Sequence, residues 1–121
     1  MAKQALILFA HGARDPRWAE PFLRLRDLVA AQRPDAAVSL AFLELMQPSL
    51  PDAVAAVAAA GAGSVTVVPV FLGQGGHVRR DLPALVETLR GAYPQVVFST
   101  AEAVGENASV LAAMAAYCAS H

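Results

Sequence analysis

The feature that most constrains this chain is an alternation. Brief runs of uncharged, mostly apolar residues are separated, along the whole length, by stretches with helical apolar spacing. Ala5-Leu6-Ile7-Leu8-Phe9-Ala10 is the first run, unbroken by charge and ending in His11-Gly12. Strands buried on both faces read this way, whereas a strand with one wet face alternates apolar and polar residues. Val38 to Leu43, Ser64 to Val70 and Gln95 to Ala101 are read as three further strands.

The intervening stretches carry helix signals. Asp15-Pro16 has the form of an N-cap with proline at the first helical position. Trp18, Phe22, Leu25 and Val29 then make one apolar stripe, Arg17, Glu20, Arg24 and Asp27 alternate in sign on another face, and Pro34-Asp35 ends the helix. Ser49 can cap a second helix with Pro51 and Asp52 in its first turn and Gly61 as its stop. A glycine-rich loop over Phe71 to Arg80 leads to a third helix bearing Leu82, Leu85, Val86 and Leu89. The last helix carries Val110, Leu111, Met114, Tyr117 and Cys118 on one side. Leu50-Pro51 with Val54 recurs as Leu82-Pro83 with Val86, a weak repeat in which each pair is expected to open a helix. The order βαβαβαβα predicts an α/β fold: one doubly wound domain over residues 1–121, with a four-stranded parallel sheet and helices on both faces.

Composition narrows the function classes. With 121 residues and 56% hydrophobic content the chain can bury a single core. Nine Lys/Arg against ten Asp/Glu leave a net charge of −1, which argues against a nucleic-acid partner, since phosphate contacts need surplus positive charge. The single cysteine, Cys118, cannot form an internal disulfide. Residues Ala53 to Val78 carry no formal charge, but five glycines and Pro69 interrupt them before Val78, and the apolar run at the N-terminus is too short for a secretory signal. No membrane association and a cytoplasmic location are expected.

In open α/β sheets, ligands bind beyond the carboxyl ends of the strands. His11 ends the first strand, Glu44 the second, and the loop after the third holds His77; 33 positions separate His11 from Glu44, and again Glu44 from His77. Similar βα units thus deliver two imidazoles and a carboxylate to one edge, a set suited to a borderline divalent metal or to a proton relay. In Gly73-Gln74-Gly75-Gly76, glycine allows positive φ and close approach of a ligand to the backbone. Arg14, Arg17, Arg79 and Arg80 flank the two histidine segments, and Arg14, next to the His11 turn, is the preferred partner for an acidic ligand. Cys118, Trp18 and Glu102 are read as structural or solvated.

His11-Gly12-Ala13-Arg14-Asp15-Pro16-Arg17, then Ala41-Phe42-Leu43-Glu44-Leu45 with Pro48-Ser49-Leu50-Pro51, then Val68-Pro69-Val70-Phe71-Leu72 running into Gly75-Gly76-His77-Val78 and Asp81-Leu82-Pro83, resemble the small CbiX-type sirohydrochlorin chelatases. These are class II tetrapyrrole metal chelatases, related in fold to ferrochelatase. The resemblance covers nearly the whole chain in the same order. It implies His11 as the proton-accepting and metal-binding histidine and His77 as the second metal ligand. Glu44 matches a carboxylate of longer two-lobed relatives and shares the catalytic role with His11. Leu72, Gly73, Gln74, Gly75 and Gly76 would meet the macrocycle through their backbone, with Gln47 facing it from the preceding loop. Ala13 stands where many members carry serine, so a hydroxyl donor beside His11 is lost. The resemblance further implies a divalent metal as substrate, cobalt favoured with iron and nickel open, no organic cofactor, a polycarboxylated tetrapyrrole partner, and a homodimer in which two lobes share a cleft. Two other readings stand beside it: a non-catalytic divalent-metal carrier using the two histidines, and a phosphoryl-transfer enzyme with His11 as nucleophile. The second lacks the arginine that histidine phosphatases place before the histidine, because Ala10 stands there.

Overall fold

The structure, a computed structural model, describes residues 3–73 and 75–121, apart from the side chain of His77. Strands β1 (Lys3–Ala10), β2 (Ala36–Phe42), β3 (Ala62–Pro69) and β4 (Val97–Thr100) form one sheet in the order β2-β1-β3-β4, with every neighbouring pair parallel. Helices α1 (Glu20–Gln32), α2 (Leu50–Ala59), α3 (Gly76–Ala92) and α4 (Ala108–Ala119) follow the strands in turn, giving the expected α/β succession.

β1 is central and its side chains divide by parity. Ala5, Ile7 and Phe9 enter a core with Leu50, Val54 and Val57 of α2 and Val78, Leu82, Val86 and Leu89 of α3. Leu8 and Ala10 face the other way, into a smaller cluster covered by Trp18, Phe22, Leu25 and Val29 from the α1 region. That accounts for the unbroken apolar run: both faces of β1 are dry. Burying a side chain the size of Ile7 or Phe9 contributes about 1.5–3 kcal/mol. The Trp18 ring packs on Phe22 with centroids 4.6 Å apart, so Trp18 is structural.

The caps are mostly those the sequence announces. The Asp15 carboxylate accepts the Arg17 amide at 2.9 Å, and the Arg17 guanidinium beside it holds that carboxyl below the usual range. The turn it caps (Pro16–Ala19) is 3-10, and α1 proper starts at Glu20. Ser49 Oγ accepts the Asp52 amide at 3.3 Å, and Gly61 takes φ +99° just past α2.

Three differences emerge. α3 begins at Gly76, so His77, Arg79 and Arg80 lie in a helix and not in a loop. Gly75 is extended and its carbonyl accepts the Arg79 amide at 3.1 Å, which closes the first turn before the apolar pattern begins. Leu82-Pro83 is consequently inside α3 and opens nothing, unlike Leu50-Pro51; Pro83 lies on the exposed side. Finally, α4 packs against the 3-10 turn Val104–Glu106 and buries none of its side chains: Leu111, Met114 and Tyr117 are 46%, 38% and 70% exposed, and Cys118 is exposed. Among the described residues no helix is long and apolar enough to cross a membrane.

Candidate active site

Because all strands are parallel, their carboxyl ends meet along one edge, and the central strand ends in His11. The ladder continues past the strands there: the Leu43 amide donates to the Ala10 carbonyl at 2.8 Å, the Glu44 amide to the His11 carbonyl at 3.0 Å, and the Val70 amide to the Phe9 carbonyl at 2.9 Å. The segments after β2 and β3 are therefore held on either side of His11. Its ring is half-buried and lies against Phe71, with centroids 4.2 Å apart and planes 31° from parallel. A ring packed on one face keeps its edge, with both nitrogens, for other partners.

The approach of Glu44 to His11 depends on the residue between them in space. Gly12 has φ +93°, and a β-carbon there would lie 1.8 Å from the Glu44 carbonyl oxygen. Only glycine lets the two segments come this close. The Glu44 side chain itself is exposed. Beyond it, Leu45 takes φ +66°, the Phe42 amide donates to Pro48 O at 2.9 Å across the loop, and the Gln47–Pro48 bond is cis; Gln47 is exposed.

On the other flank, the Gly105 amide donates to the Phe71 carbonyl at 3.0 Å, and a β-carbon on Gly105 would lie 1.7 Å from the Leu72 carbonyl oxygen. The turn after β4 thus clasps the segment that carries the His11 ring contact. Arg79 adds a tether from α3, donating to Glu106 at 3.0 Å. Glu102 accepts from Asn107 Nδ2 at 2.7 Å, a structural role beside the α4 cap.

His11 and Glu44 are thereby brought together through their backbones, and Leu72, Gly73, Gly75 and Gly76 lie exposed along the same edge. Gln74 and the His77 side chain fall outside the described residues; the His77 backbone sits in the first turn of α3. Among the described residues no three His, Cys, Asp or Glu side chains converge as a preformed metal cluster. Arg14 is exposed and makes no side-chain hydrogen bond to a described residue. None of Gly73, Gly75 and Gly76 adopts a left-handed φ, and a β-carbon on any of them would meet nothing within 4 Å. Their contribution is open space over the backbone. Sequence reasoning missed two contributors: the Phe71 ring contact, visible only as one apolar residue after β3, and Gly105, an isolated glycine with no periodic signal. A groove of about 530 Å³ between Arg79 and Arg90 runs along α3 and does not include His11 or Glu44.

The CbiX family model matches residues 5–120. A sirohydrochlorin cobaltochelatase from Methanosarcina acetivorans is 31% identical over 84 residues, 69% of this chain and 65% of the relative. Among solved structures, a CbiX protein from Marinobacter aquaeolei VT8, named for cobalamin (vitamin B12) biosynthesis, superposes with a TM-score of 0.84 at 34% identity over 97% of this chain and 95% of its own. The sirohydrochlorin chelatase SirB from Bacillus subtilis subspecies spizizenii, in complex with cobalt, shares the fold at 24% identity and a TM-score of 0.82, over 98% of this chain but 50% of its own. The chain spans about three fifths of the curated relatives it matches. A match that runs through all four strands and both histidine segments makes this chain a member of the CbiX family.

Proposed function

We propose that this protein is a sirohydrochlorin metal chelatase, a lyase that inserts a divalent ion, cobalt by preference and iron or nickel as alternatives, into a polycarboxylated tetrapyrrole. The observation that carries the reading is His11: a half-buried imidazole at the end of the central strand, seated on Phe71 at 4.2 Å and tied through its carbonyl to Glu44. The reaction exchanges two inner-ring N–H protons for one M²⁺, so charge balances when both protons reach solvent. An imidazole nitrogen can serve both halves of that exchange, as metal ligand and then as proton acceptor. His11, with His77, holds the ion and presents it to the ring nitrogens; the lone pair freed on transfer then accepts a ring proton. Glu44, exposed beside it, offsets the ion's charge and passes protons outward. Two imidazoles and one carboxylate are a deliberately weak set, since a closed four-ligand site would retain the ion. Arg14 and Gln47 face the macrocycle's polar substituents, the open backbone at Leu72, Gly73, Gly75 and Gly76 faces its ring, and Gln74 is assigned to the same contact. No organic cofactor enters, and the reaction belongs in the cytoplasm.

Anaerobic absorbance of sirohydrochlorin with Co²⁺ tests the reading. Insertion faster than the spontaneous reaction supports it. Tight Co²⁺ binding with no acceleration for Co²⁺, Fe²⁺ or Ni²⁺ would replace it with the metal-carrier reading. His77→Ala is expected to weaken Co²⁺ binding by more than the roughly 10- to 100-fold that changes around a metal's ligands cost, with turnover recovering in part at high Co²⁺, as measured by titration and initial rates.

The same reading calls for a second wall over the His11 edge, which we assign to a second copy in an isologous homodimer. Support comes from α4: from Asn107 to His121 the chain has no Asp, Glu, Lys or Arg, and Leu111, Met114 and Tyr117 are exposed. Light scattering should give twice the 12.6 kDa chain mass. Met114→Glu, placing a charge on that face, should shift the mass toward one chain; an unchanged dimer would move the interface elsewhere.

A further inference from the structure

We propose that the side chain of Leu45 is a specificity-determining contact for the flat, apolar face of the tetrapyrrole, paired across His11 with Leu72; the proposal rests on the chelatase reading above. Two observations about Leu45 do not fit a structural role. First, it is 60% exposed, so its side chain contributes little to the core. Second, its backbone has φ +66°, the left-handed region, and the Met46 amide donates to the Glu44 carbonyl at 2.8 Å, closing a three-residue turn around it. Glycine takes such a conformation without steric conflict, whereas a β-carbon is disfavoured there. A leucine that is both strained and exposed is explained neither by the turn nor by burial. Strain of this kind is found where the surrounding structure holds a residue for a purpose.

Its position supplies the purpose. Leu45 is three residues beyond the end of β2 and Leu72 three residues beyond the end of β3, the two strands that flank β1. With strands about 4.8 Å apart, β2 and β3 lie roughly 10 Å from one another, with His11 between them. Leu72 is 64% exposed, so each of the strands flanking the one that ends in His11 is followed by a large exposed apolar residue. A polar metal edge has no use for such a pair. A macrocycle has, because its rim is polar and its faces are apolar: leucines can bed one face while the imidazole reaches the central nitrogens. The turn around Leu45 is tied to His11 through the Glu44 amide, so the leucine's height is set relative to the imidazole.

Leu45→Gly is the decisive variant because it relaxes the turn while deleting the side chain. Its melting temperature should equal or exceed that of the native protein. The KM for sirohydrochlorin should rise roughly tenfold, the scale expected for losing one apolar side-chain contact, with kcat within about twofold and Co²⁺ affinity unchanged. Leu45→Asn, which also tolerates this backbone, should behave alike, and Leu45→Met should restore KM. An unchanged KM in Leu45→Gly, beside an active native protein, would overturn the contact while leaving the chelatase reading intact. A clear fall in the melting temperature of both the Gly and Asn variants would overturn it too, by showing Leu45 to be structural. Failure of the native protein itself to bind or metallate sirohydrochlorin would remove both.

Discussion

His11→Ala is expected to reduce cobalt insertion to the spontaneous rate, a fall on the order of 10²- to 10⁴-fold, the range lost with a positioned proton-transfer group. The fold should survive the change. His11 is half-buried and its main structural contact is the Phe71 ring, so the loss is about 1 kcal/mol, or a few degrees in melting temperature. Its carbonyl, which accepts the Glu44 amide, is backbone and remains. Imidazole added to the variant should recover part of the rate, since the space over Phe71 is left open on the side that faced the substrate. A variant that keeps more than a tenth of native activity under anaerobic absorbance would exclude His11 as ligand and proton acceptor. Glu44→Gln, measured alongside, then apportions the proton path: if Glu44 only relays protons, its variant should lower kcat while Co²⁺ affinity stays unchanged.

Much of this architecture was legible because parallel sheets leave a plain signature. Both-face burial of β1 requires Ala5 to Ala10 to be apolar at every position, and large or β-branched residues fill the middle of that run, where the equally apolar stretch of α2 is mostly alanine. Each strand began or ended within about two residues of its expected bounds, the usual uncertainty at element ends. The start of α3 was hidden for a physical reason. Its first turn, Gly76 to Arg79, has glycine and charge where a helix normally shows a polar cap, and what holds the helix is the packing of Val78, Leu82 and Val86 in the core. α4 shows the opposite failure. Its apolar stripe is genuine in sequence, but periodicity reports that a face is apolar and says nothing about which surface covers it.

The site was legible in its donors and not in its supports. Strand ends announce His11 and Glu44, because an ionisable residue that terminates a dry run must sit at the edge. What arranges them is non-local. Phe71 meets His11 across 60 positions and Gly105 meets Leu72 across 33, and a single sequence has no period that links such pairs. The glycines divide in the same way. Three cluster at Gly73, Gly75 and Gly76, yet at this edge the backbone demand for glycine falls on Gly12 and Gly105, each alone among other residue types.

That contrast yields the second large effect. Gly12→Ala is expected to destabilise the protein by about 3 to 5 kcal/mol, lowering its melting temperature by roughly 10–20 °C. Two costs combine. The left-handed φ of +93° is strained for any β-carbon, at about 1–2 kcal/mol. The added carbon would also lie 1.8 Å from the Glu44 carbonyl oxygen, a backbone atom with no rotamer to escape into. Relief requires the segment after β2 to move off, which breaks the bond from the Glu44 amide to the His11 carbonyl and carries Leu45 away with it. Whatever folded protein remains should therefore lose activity as well as stability, so both denaturation and rate measurements at low temperature are informative. Gly75→Ala is the internal control: its β-carbon meets nothing within 4 Å and its φ is −71°, so stability should change by no more than about 0.5 kcal/mol. If Gly12→Ala melted with the native protein, the close crossing of the His11 and Glu44 segments would be wrong, and with it the geometry that places a carboxylate beside the imidazole.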